Sequence, residues 1–106
     1  MKNVPSNSGC ADSLKALSDA TRLQVLRALL NGPLHVGDLR AKVGVEQSLL
    51  SHHLKVLRDA GLVLAERDGK AVLYRISPDV KGTGQGIDLK CCQVTFHPVL
   101  RGRTRG

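Results

Sequence analysis

Leucines at positions 50, 54 and 57 impose the strongest constraint on this chain. A spacing of four and then three places side chains on one side only if the backbone is helical, advancing about 100° per residue. The spacing predicts a helix from about Glu46 to Ala60, with Gly61 as its stop. Ser48, His52 and Lys55 project from the opposite side, with Gln47 and Ser51 on its shoulder. One face is therefore apolar, and the other offers hydroxyls, an amide, an imidazole and an ammonium, with no carboxylate among them. A solvated helix ordinarily mixes Glu with Lys, because i, i+4 pairing favours the mixture. A polar face without anions suits a major groove, where base edges and phosphates accept hydrogen bonds. A polar face alone is more often plain surface, so the flanking segments have to support the reading.

At 106 residues the chain makes one small domain with a modest core. It has one Phe, one Tyr and no Trp, so the core must be built from Leu, Val and Ala. Stacking on single-stranded bases has little to work with. The net charge is +7, and Arg101, Arg103 and Arg105 supply three of those charges. A basic excess on a small domain points to a polyanion, most simply nucleic acid, although a generic basic surface carries the same charge. No apolar run approaches a membrane span, and the polar start lacks a signal-like segment, so the expected location is cytoplasmic. Three cysteines, Cys10, Cys91 and Cys92, are an odd count, which suggests free thiols in a reducing compartment.

Taken in order, residues 1–10 read as a flexible lead-in and residues 11–18 as a short helix with Leu14 and Leu17 on one side. Asp19 is a good N-cap for a second helix over residues 20–30, with Leu23, Leu26 and Leu30 inward. After Asn31-Gly32-Pro33, a third helix is expected over residues 36–43 with Leu39 and Val43 inward. Gly44 breaks it, and the leucine-backed helix follows, completing a helix-turn-helix. Beyond Gly61 the pattern alternates. Residues 62–67 and 70–76 read as strands around Asp68-Gly69, a strong hairpin signal. Arg67 and Lys70 at the tip make this hairpin a basic wing, placed to meet phosphate.

The run LKALSDATRL at residues 14–23, SLLSHHLKVLRDAGLV at residues 48–63 and VLYRI at residues 72–76 together resemble the ArsR/SmtB family of bacterial and archaeal winged-helix repressors. The resemblance covers residues 11–78. It implies a homodimer that sits on a palindromic double-stranded operator and leaves it when an inducer binds. Gln47, Ser48, Ser51 and His52 match positions that contact DNA in family members. The chain departs from the family at two places. Many arsenic-responsive members carry Cys-Val-Cys at the start of the third helix, where this chain reads Leu34-His35-Val36-Gly37-Asp38. Others use Asp and His residues on a long final helix that also forms the dimer contact, and no such helix is expected after Ile76. The first helix and the segment after Ile76 are left as candidate dimer contacts.

The segment 87–97 alternates with a slip: Ile87 and Leu89 take one parity, Cys92, Val94 and Phe96 the other. A bulge near residues 90–92 would put both sulfurs on one side. Three readings compete for Cys91 and Cys92. They can be small hydrophobes in a strand. They can be ligands for a thiophilic ion such as arsenite, Cd(II) or Zn(II), completed by Cys10 or His97. They can also be redox-sensing thiols. A bridge between the two neighbours is disfavoured, since adjacent Cα atoms lie about 3.8 Å apart and a disulfide needs roughly 4.4 to 6.8 Å. An oxidised form would sooner join Cys10 to one of them, or one subunit to the other.

These readings combine into a mainly α fold with a small β-hairpin wing, a winged helix-turn-helix. Residues 1–10 form the lead-in, 11–78 the DNA-binding domain, 79–98 a Gly-rich linker with the Cys-Cys strand, and 99–106 a basic disordered tail. The expected function is a homodimeric transcriptional repressor. Gln47, Ser48, Ser51 and His52 would read bases, and Lys55, Arg67 and Lys70 would meet phosphates. No cofactor is required, and a thiophilic metal or metalloid is the candidate inducer. The alternatives are a thiol-redox sensor of the same fold, or a winged-helix protein-interaction module. An enzyme is the weakest reading, because no nucleophile, base or Gly-rich phosphate loop stands at a suggestive spacing.

Overall fold

In the computed structural model, residues 4–83 and 86–96 are described, with side chains from residue 9 onward. The described residues fold as four helices and two small sheets: α1 (Val4–Ala16), α2 (Ala20–Leu30), β1 (Leu34–His35), α3 (Val36–Val43), α4 (Gln47–Asp59), β2 (Val63–Asp68), β3 (Ala71–Ile76), β4 (Lys81–Gly82), β5 (Gly86–Asp88) and β6 (Gln93–Thr95). This is the expected winged helix-turn-helix with an additional sheet behind it.

Helix α2 has the predicted bounds. Asp19 is extended at the N-cap and its side chain accepts a hydrogen bond from the Arg22 backbone N–H, satisfying one of the donors that a helix start leaves open. Its buried stripe is Val25, Leu26 and Leu29, with Leu23 and Leu30 only partly covered. The expected inward set of Leu23, Leu26 and Leu30 thus shares only Leu26 with the buried one, because α3, β3 and α4 all pack against α2. Helix α3 ends at Gly44, whose φ of 75° supplies the left-handed turn into the next helix. Helix α4 buries Leu50, Leu54 and Leu57 as expected, and also His53.

The wing is the hairpin β2–β3, with Asp68 opposite Ala71, so its two-residue turn is Gly69-Lys70 rather than Asp68-Gly69. Gly69 has φ 66°, the left-handed geometry such turns need. A third strand completes the sheet in the order β1-β3-β2, with Leu34 opposite Tyr74 and His35 opposite Leu73. Two residues are too few for a periodic signal, so β1 was invisible to pattern reading.

Two boundaries differ from expectation. Helix α1 begins at Val4 instead of residue 11, so the expected flexible lead-in is helical from Val4 onward. Residues 79–98 are not simply a linker: β4, β5 and β6 form an antiparallel sheet in that order. Its Ile87 is fully buried, Leu89 and Val94 pack against the main core, and the Arg27 guanidinium of α2 lies 5.2 Å from the Phe96 ring centroid. The expected basic tail, 99–106, and His97 lie outside the described residues.

Candidate nucleic-acid interface and thiol cluster

The polar face of α4 is a consequence of its apolar one. Burial of Leu50, Leu54 and Leu57 leaves Gln47, Ser48, Ser51, His52 and Lys55 exposed together, as the helical period requires. Leu49 is also exposed, at 43%, so it does not pack inward. The wing tip adds Arg67 and Lys70, both exposed. The structure therefore presents all seven sequence-derived DNA-contact residues to solvent.

Carboxylates lie closer to this face than the sequence reading allowed. Ser48 Oγ donates to Glu46 Oε1 at 3.1 Å, and Lys55 Nζ donates to Asp59 Oδ2 at 2.9 Å. The i, i+4 spacing of Lys55 and Asp59 was the overlooked signal. At the wing, His35 Nε2 and Asp68 Oδ2 are 2.7 Å apart, tying the tip to the start of α3. His35 stands at the N-cap position of α3 without a side-chain capping bond.

A second feature missed in the sequence is His53. It continues the stripe of Leu50, Leu54 and Leu57, and that position was the available clue. Its side chain is 8% exposed, and its Nδ1 has no hydrogen-bond partner among the described residues. Nε2 lies 3.9 Å from Asp19 Oδ1.

The cysteines converge on one point. Residues 89–92 form a tight turn between β5 and β6, closed by the Leu89 N–H donating to the Cys92 carbonyl at 2.9 Å. Lys90 takes φ 76° there, and the Asp88 carboxylate accepts from its N–H at 2.7 Å. The parity slip in the sequence thus reflects a chain reversal, not the expected bulge. The reversal still brings the Cys91 and Cys92 sulfurs to 3.9 Å. Cys10 of α1 joins them: it forms a disulfide with Cys91, at a Cα–Cα separation of 6.0 Å, and lies 3.9 Å from the Cys92 sulfur. The expectation of three free thiols is corrected to one, Cys92. The bridge, across 81 positions, is of the kind expected for an oxidised form, Cys10 with one of the two neighbours.

All three sulfurs lie within 4.8 Å of one another. Thiolate sulfur is the form that binds soft ions. With Cys10 and Cys91 reduced, the cluster offers three such donors, a set that fits a thiophilic ion.

Residues 19–64 match the model of the bacterial regulatory protein, arsR family. The chain is similar to the HTH-type transcriptional regulator NmtR of Mycobacterium tuberculosis, 47% identical over 66 residues. That match takes in 62% of this chain and 55% of NmtR, so this chain spans about half of that relative's length. It is also similar to the HTH-type transcriptional regulator CmtR of Mycobacterium bovis, 43% identical over 91 residues, covering 84% of this chain and 77% of CmtR. Among solved structures, the homodimeric winged helix-turn-helix DNA-binding domain Mb0332 from Mycobacterium bovis superposes with a TM-score of 0.70 at 31% identity, covering 74% of this chain and 72% of that one.

Proposed function

This chain belongs to the ArsR family of bacterial transcriptional regulators, which are DNA-binding proteins and not enzymes, and on that basis we propose that it is a homodimeric repressor released from its operator by a thiophilic metal or metalloid. One observation carries the DNA-binding part: α4 is backed by buried leucines and exposes Gln47, Ser48, Ser51 and His52 in one row, while the wing tip exposes Arg67 and Lys70.

In this reading α4 lies in the major groove. Gln47 and His52 bond base edges, Ser48 and Ser51 adapt to either base or phosphate, and Leu49 meets a thymine methyl. Lys55, Arg67 and Lys70 neutralise phosphates. Two subunits place two such helices on half-sites about 10 base pairs apart, or a multiple of that. Residues 11–78 form the DNA-binding unit. Cys10, Cys91 and Cys92 hold the inducer, with arsenite, Cd(II) and Zn(II) as the chemically suitable ions. The protein acts in the cytoplasm, and no described helix is long and apolar enough to cross a membrane.

Footprinting of the DNA upstream of the protein's own gene tests the reading. Two symmetric protected half-sites, lost on adding Cd(II) to reduced protein, are expected. Equal affinity for that DNA and for a scrambled duplex would overturn specific recognition, while protection that ignores arsenite, Cd(II) and Zn(II) alike would overturn the inducer.

A further inference from the structure

We propose that the Cys10–Cys91 bridge is a redox gate on the ion site, so that a peroxide-class oxidant closes the site to the soft ion. This rests on reading Cys10, Cys91 and Cys92 as that site. Two sulfurs are common to both states: those that would hold the ion are those joined in the bridge. A sulfur in a disulfide is no longer a thiolate, so bridging leaves Cys92 as the one remaining thiol of the three.

The arrangement favours this pairing over the others. Cys91 and Cys92 are neighbours, too close along the backbone for a relaxed bridge, whereas Cys10 and Cys91 have Cα atoms 6.0 Å apart, inside the range a disulfide spans. Cys91 is the exposed member, and Cys10 and Cys92 are half-buried. An oxidant therefore meets Cys91 first. The Cys91 thiolate attacks a peroxide oxygen, the O–O bond breaks, the leaving alkoxide or hydroxide takes a proton from solvent, and Cys91 becomes a sulfenic acid. The Cys10 thiol then displaces hydroxide from that sulfur, which departs as water with the thiol proton. The sulfurs lose two electrons to the peroxide, and a small dithiol reverses the change.

Helix α1 and the β5–β6 turn are the elements that either link would join. The bound ion and the bridge are thus alternative cross-links between the same two parts of the fold, and both cannot exist at once.

The test titrates the full-length protein with Cd(II), reading thiolate-to-metal absorption before and after treatment with hydrogen peroxide. Reduced protein is expected to show the absorption band. Peroxide is expected to remove two hydrogens by mass, to leave Cys92 as the alkylatable residue, and to weaken Cd(II) binding about 100-fold through loss of chelation, with recovery on adding dithiothreitol. In Cys10→Ser the Cys91 sulfenic acid has no resolving thiol, so peroxide is expected to add oxygen to the protein instead of removing two hydrogens. Absorption that persists at full affinity after bridging, a covalent dimer in place of the internal bridge, or a loss of two hydrogens in Cys10→Ser would each overturn the gate while leaving the ion site standing. No absorption from reduced wild-type protein would remove the ion site itself, and the gate with it.

Discussion

The His53 imidazole reaches from the buried side of α4 to within 3.9 Å of the Asp19 carboxylate, which caps α2. One acidic group thus serves two helices. It satisfies an open N–H at the start of α2 and lies beside a buried polar ring. Asp19 also lies 4.0 Å from the Arg22 guanidinium.

The acid response of the fold should carry the mark of Asp19. Its carboxyl is held below its ordinary value, first by the hydrogen bond from the Arg22 backbone N–H, against an opposing effect of burial, with further lowering from His53, the Thr21 backbone N–H and the Arg22 guanidinium. A carboxylate whose native pKa is depressed stabilises the fold above its unfolded value, near 3.9, and that contribution is lost as pH falls through the lower native value. Thermal melts should rank wild type above Asp19→Asn, which retains a cap without charge, and Asp19→Asn above Asp19→Ala. The gap between wild type and Asp19→Asn should close as the pH falls below about 4. A gap that stayed constant down to pH 2 would show that the charge contributes nothing.

His52 and Lys70 should fail in different ways. Removing a base-reading group in His52→Ala should cost about 1–3 kcal/mol on the operator and little on random DNA. Lys70→Ala should weaken both alike and lower the magnitude of the salt slope by about one. Filter-binding titrations at several salt concentrations separate the two. Equal losses on both duplexes for His52→Ala would strip it of a base-reading role.

Asp59 pairs with Lys55, the lysine proposed to meet phosphate. The Lys55–Asp59 pair is about two-thirds exposed on both sides, so its contribution to folding is under about 1 kcal/mol. Its effect on DNA is different, because the carboxylate repels phosphate and occupies the ammonium. Asp59→Ala should bind every duplex more tightly, by a few-fold, with an unchanged melting temperature. Weaker binding would mean that Asp59 positions Lys55 for its contact.

Gly86 is the position in the second sheet least able to change. A Cβ there would run into the Val94 backbone oxygen across the β5–β6 pair, and backbone has no rotamer to escape with. Gly86→Ala should destabilise by about 1–3 kcal/mol, as overpacking does. Gly82→Ala is the control, since its Cβ would meet the end of the flexible Leu30 side chain at 3.3 Å. Denaturant melts should show the first variant clearly weakened and the second close to wild type. Similar midpoints would indicate that the sheet opens at little cost.

Much of this molecule could be read from residue order alone, wherever the governing contacts are local. The bounds of α2 follow from Asp19 and the break at Asn31-Gly32-Pro33, those of α4 from its leucines, and the wing from alternation around Gly69. Each is set by periodicity, capping or turn geometry within a few residues. The exposed row Gln47, Ser48, Ser51 and His52 was legible for the same reason: where leucine spacing assigns the buried side, it assigns the other as well. Contacts between distant segments were decided by the tertiary structure. Strand β1 exists because β3 is there to pair with it, His53 and Asp19 meet because α2 and α4 cross, and Cys10 reaches Cys91 across 81 residues because α1 and the β5–β6 turn settle on neighbouring parts of one core. Such meetings depend on how faces are buried against each other. A pattern read along the chain carries the faces but not their pairing.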